Sequence, residues 1–270
     1  MTEFEKTIQI DDKHAQAWYE KARLLDVKTQ RPRKEQAYLA AIGANNEFTD
    51  ARKELAEMYL KNEQYPNAIA QYRSILKYEP DNREVAIKLA QVHLEVDEAK
   101  QAVADLETYV KNHGKDSQAN FLYGQALYLS ERESEAKKYI ETAAAQDANN
   151  AEAQLLLGLI ALKQDKFSEA KSFLNKTVNL SPNTAKAYSG LGQISAKEKK
   201  YDEALSYQRK ALDLDPKLSD AHYQMGVVYT AMGKEKEANE AFGKSTPVNS
   251  LSDLKKDVDA EEAAKKFKDR

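Results

Sequence analysis

The sequence predicts an all-α protein built as a solenoid of antiparallel helix pairs. Three observations carry this. Small residues recur every 34 positions: from Gly158 that step meets Ala22, Ala56, Ala90, Gly124, Gly192 and Gly226. Twelve positions after Gly158, Ala170 belongs to a second column with Ala68, Ala102, Ala136, Ala204 and Ala238. A third column holds Pro80, Pro182 and Pro216. A fixed internal period of this length overrides the prior, set by length, of one or two globular domains.

Each column has a physical reason. Where two helices cross closely, a side chain larger than methyl would push the axes apart, so the Gly158 and Ala170 columns mark crossing points. Larger residues fill the space around them: Leu55, Leu89, Tyr123, Leu157, Leu191 and Met225 on first helices, and Tyr72, Leu106, Ile140, Leu174 and Phe242 on second helices. Proline ends the second helix because it lacks the N–H that continues the ladder and restricts the residue before it. A single pair cannot bury its own apolar face and needs neighbours on both sides.

In chain order, residues 1–14 align with the second helix of a unit, Phe4, Thr7, Ile10 and Asp12 matching Tyr38, Ala41, Ala44 and Asn46. The chain is therefore expected to begin inside a partial repeat, as a fragment of a longer protein would. Seven units fill residues 15–248, starting at 15, 49, 83, 117, 151, 185 and 219. The first is irregular, with Lys21 at a position held elsewhere by Leu, Tyr or Met and Lys34 in place of the crossing alanine. In the third, Asp97 and Glu98 mark the turn between helices and Gly114 replaces the proline. Residues 249–270 predict a capping helix and tail, with Ser252 as N-cap and Leu251, Leu254 and Val258 on one face.

These columns resemble the tetratricopeptide repeat, a 34-residue unit with a small residue in its first helix, an alanine in its second and a late proline. The resemblance covers about nine-tenths of the chain. It implies a right-handed superhelix whose first helices line a concave groove in which protein partners bind. In each first helix, three positions at i, i+4 and i+7 share that face. In the middle units they read Ile87, Gln91 and Leu94; Phe121, Gln125 and Tyr128; Leu155, Leu159 and Leu162; then Gln193 in the next. A face that met only water would read polar throughout. Apolar residues beside amides that can pair with a peptide backbone predict a partner-binding strip, with Phe121, Tyr128, Leu155, Leu159 and Leu162 continuous across the groove.

Two better-known uses of the repeat do not fit. The Lys, Asn and Arg clamp for the C-terminal carboxylates of chaperones is absent, since Lys53 is followed four residues on by Glu57. The asparagine ladder of arrays attached to sugar transferases is replaced by Glu20, Glu54, Lys88, Leu122, Leu156, Gly190 and Gln224.

The sequence offers little chemistry. Net charge is −3 with 31% charged residues, unlike the basic footprint of a nucleic-acid binder. The longest apolar run, Leu155 to Leu162, falls far short of a membrane span, and residues 1–14 lack a signal-peptide pattern. The expectation is a soluble protein, cytoplasmic or periplasmic. Without cysteine there is no disulfide, thiol nucleophile or cysteine-ligated metal. His93 and His222 fall in columns otherwise held by Tyr/Leu and Trp/Tyr/Ala, which predicts packing. His14 and His113 lie at unit junctions without carboxylate or histidine at ligand spacing. No phosphate loop, nucleophile elbow or His-Glu-x-x-His run occurs. The sequence therefore predicts a non-enzymatic adaptor without cofactor or metal, holding an extended peptide or amphipathic helix. The alternatives are a self-assembling structural protein, in which a second copy or the terminal helix fills the groove, and the regulatory arm of a larger enzyme.

Overall fold

The computed structural model describes residues 3–245, which form fifteen helices and no strand; the expected C-terminal capping helix lies outside the described residues. After α1 (Glu3–Ile10), first helices are α2 (Ala15–Leu24), α4 (Thr49–Leu60), α6 (Arg83–Glu95), α8 (Ser117–Leu129), α10 (Ala151–Lys163), α12 (Ala185–Lys197) and α14 (Ser219–Ala231). Second helices are α3 (Val27–Ala44), α5 (Tyr65–Tyr78), α7 (Ala99–Asn112), α9 (Glu133–Gln146), α11 (Phe167–Leu180), α13 (Tyr201–Leu214) and α15 (Glu235–Lys244). The chain forms two compact units that divide between Tyr139 and Ile140.

Packing follows the chain. In the first unit, α1 through α8 include the successive pairs α2·α3, α4·α5 and α6·α7, and α6 also touches α8. In the second, α10·α11, α12·α13 and α14·α15 pair, while α10 touches α12 and α12 touches α14. The small columns sit at these contacts: Ala22, Ala56, Ala90, Ala68, Ala102, Ala170, Ala204 and Ala238 are fully buried. A Cβ added at Gly158 would lie 2.7 Å from Leu174 Cδ2, and one at Gly226 2.5 Å from Phe242 Cε1.

Tight turns separate the helices of six pairs, and each uses one residue in the left-handed region: Glu63, Asp97, Glu131, Asp165, Lys199 and Gly233, with φ between 55° and 73°. The next N–H then reaches back to the helix, as in Glu98 N to His93 O at 2.7 Å and Lys166 N to Ala161 O at 2.9 Å. This satisfies carbonyls at the helix end that would otherwise be orphaned. Only the last of the six is glycine, although this backbone costs an ordinary L-residue about 1–2 kcal/mol. Lys199→Gly is expected to stabilise the second unit by about 0.5–1 kcal/mol, because the lost strain outweighs the added chain entropy. A urea midpoint that fails to rise would contradict this.

The first pair lacks that turn. Its second helix starts at Val27, bends at Gln30 (φ −129°) and carries Pro32 inside. Lys34, on the alanine column, stays out of the crossing: its Nζ donates to Leu25 O at 3.1 Å and lies 5.8 Å from the centre of the Tyr38 ring. Three first helices start on matching side-chain caps. Asn82, Asp116 and Asn150, 34 positions apart, accept from the N–H of Val85, Ala119 and Ala153.

Candidate functional site: the face of the first helices

The predicted partner-binding positions do not present equal surface. In the first unit, Ile87 is 5% exposed and Phe121 6%, whereas Leu94, Gln125 and Tyr128 are half-buried and Gln91 is exposed. In the second unit Leu162 is 7% exposed and belongs to a core with Ala161, Ala170, Leu174, Ala187, Leu191 and Ile194. Leu155 and Leu159 pack against that core while remaining half-buried, and Gln193 on α12 is half-buried too. The i, i+4, i+7 spacing locates a helix face but does not say how much of each side chain the next first helix covers. Leu162 is covered because Gly190 leaves room for it: a Cβ there would come within 3.1 Å of Leu162 Cδ1. An aspartate at Leu162 would therefore unfold this core rather than report on a surface.

Elsewhere on the same face, contacts between neighbouring first helices use the polar residues. Lys53 Nζ pairs with Glu84 at 2.6 Å, and the buried Ser189 donates its hydroxyl proton to Asp220 at 2.6 Å. Near the start of the first unit, Glu54 accepts from the hydroxyls of Tyr19 at 2.6 Å and Tyr38 at 2.5 Å. Burial, then the bonded carboxylate, push both phenols far above their ordinary range. These three residues line a recess of about 450 Å³ with Lys34, Lys53, Glu57 and Met58.

The structure also assigns roles to histidines that the sequence columns placed in simple packing. The fourth residue of a first helix repeatedly donates to a carbonyl six positions earlier, in the loop column that holds proline. Trp18 reaches Asp12 O at 2.8 Å, Arg52 reaches Asn46 O at 2.9 Å, Asn120 reaches Gly114 O at 3.0 Å and His222 reaches Pro216 O at 3.1 Å. The signal was present, since Trp, Arg, Asn and His share an N–H donor, but hydrophobicity hides it. His113 lies 2.8 Å from Asp81 and stacks on Tyr109. His93 is buried with a carboxylate facing each ring nitrogen. Among the described residues, no group of three or more His, Cys, Asp or Glu is placed to hold a metal ion, and no helix is long and apolar enough to cross a membrane.

Similar proteins agree with this architecture. Solved structures that resemble the chain include the MamA protein, 24% identical with a TM-score of 0.57 over 64% of this chain and 94% of that one. YrrB, a TPR protein with an unusual peptide-binding site, is 25% identical with a TM-score of 0.51, covering 72% of this chain and 97% of its own. A tetratricopeptide repeat protein from Parabacteroides merdae is 16% identical, with a TM-score of 0.64 over 93% and 97% of the two chains. A comparison with curated proteins gave no match. The fold is that of protein-interaction scaffolds, which are generally non-catalytic. The tetratricopeptide repeat profile matches residues 59–126 and 127–194, a second such profile matches 185–218, and with more than half its length matched the chain belongs to the tetratricopeptide repeat family.

Proposed function

We propose that the protein is a non-catalytic adaptor that holds a protein partner, as an extended peptide or amphipathic helix, against the face of its first helices. The observation that supports this best is the pair Leu155 and Leu159, one turn apart on α10 and only half-buried. Two leucines left partly open, with the half-buried amide of Gln193 at the position on α12 that matches Leu159, offer an apolar anchor and a hydrogen-bonding group on the same face. In the first unit Leu94, Gln91, Gln125 and Tyr128 present the same mixture, with Ile87 and Phe121 buried on the same helices, as Leu162 is on α10 of the second unit. A peptide fits this chemistry better than a nucleic acid, which would ask for a basic face. The peptide-binding site of YrrB lends support by analogy of fold.

Selection from a random-peptide display library with the purified chain tests the proposal. Enriched peptides should carry leucine or aromatic anchors and bind in the micromolar range. Leu159→Gln should weaken them roughly tenfold, since part of one leucine's burial is worth about 1–1.5 kcal/mol. Its helical circular dichroism should match the parent's. If no peptide is enriched, or if a folded Leu159→Gln binds as the parent does, the proposal fails.

A further inference from the structure

His93 occupies a column held by Leu25, Tyr59 and Leu127 in other units, and it is 1% exposed. Its Nδ1 lies 2.8 Å from Glu98 Oε2, at the start of α7, and its Nε2 lies 3.0 Å from Asp105 Oδ2, two turns further along that helix. Arg73 of α5 holds the same Asp105 carboxylate at 3.0 Å, also donates to Gln101 and brings Nη2 within 3.5 Å of His93 Nε2. The ring thus joins α6 to α7 through both nitrogens, and the Asp105 carboxylate extends the link to Arg73 of α5.

The other faces around it supply little charge. The segment Ser117–Leu129 of α8 contains no Asp, Glu, Lys, Arg or His. On α6 itself, Arg83 is paired with Asp116, Glu84 with Lys53, and Glu95 accepts from the Tyr65 hydroxyl; Lys88 is exposed.

We propose that His93 is a pH-dependent clasp of the α5–α6–α7 joint, closed when both ring nitrogens carry protons and loosened when one proton is lost. A carboxylate only accepts, so both contacts are hydrogen bonds only if both nitrogens donate. A neutral ring has one N–H and would set a lone pair against one of the carboxylates. The adjacent Arg73 guanidinium then has a new acceptor in Nε2, and Asp105 loses its bond to the ring. The joint thus has two arrangements that protonation selects between. An unfolded histidine gives up its proton near pH 6.5. Because both contacts need an N–H on the ring, the clasp's contribution is present in acid and is lost once one nitrogen gives up its proton.

Thermal unfolding of the full chain between about pH 5.5 and pH 8.5 tests this, together with ¹⁵N spectra of the imidazole. The parent should lose about 2–4 °C relative to His93→Leu across that range, and at pH 5.5 both ring nitrogens should carry protons. Leucine suits the column, and Asp105→Asn, which removes one acceptor charge without removing bulk, provides a second variant that should flatten the same pH dependence. Parallel curves for the parent and both variants, or a single neutral tautomer at pH 5.5, would overturn the clasp.

Discussion

Leu174→Ala is expected to destabilise the second unit by about 2–5 kcal/mol, the range for truncating a fully buried leucine. Leu174 is fully buried on α11 and serves two crossings at once. Its Cδ2 lies 2.7 Å from where a Cβ on Gly158 would stand, and its Cδ1 lies 2.7 Å from the same point on Gly190. One side chain thus occupies the space vacated by two glycines, on α10 and on α12. Truncation opens a cavity between three helices, none of which can close it alone. Amide hydrogen exchange should show lost protection in α10, α11 and α12 together. If only α11 is affected, the leucine is not shared between the two crossings.

The reverse change at the same place has the next largest effect. Gly158→Val should cost about 1–3 kcal/mol by overpacking, reduced by the few tenths that valine gains over glycine as a helix former. Leu174 has nowhere to retreat, since its other methyl already fills the Gly190 side. The two sites must therefore couple. Combined with Leu174→Ala, Gly158→Val should cost less than the sum of the single changes, because its methyls enter the cavity that the alanine leaves. Additive urea midpoints would show that the two residues do not share that space.

The 34-residue columns alone determined that the protein is all-α, where its first helices begin, and the pairs Gly158–Leu174 and Gly226–Phe242 at two crossings, though not Gly192–Gln208. They could do so because a close helix approach tolerates only a small side chain, and that requirement is written into residue type. The same logic flagged Lys34 as irregular, and the structure shows its ammonium leaving the crossing for the Leu25 carbonyl. Exposure was beyond reach of the pattern. Phe121 and Leu162 share a helix face with Tyr128 and Leu159, yet the first two are buried and the others only half so. How far a neighbouring helix covers a side chain depends on the rotation and spacing of both helices, and here on an absent Cβ at Gly190. Polar partnerships were equally hidden. His93, Glu98 and Asp105 lie twelve residues apart or less, but only packing α6 against α7 brings one carboxylate to each ring nitrogen.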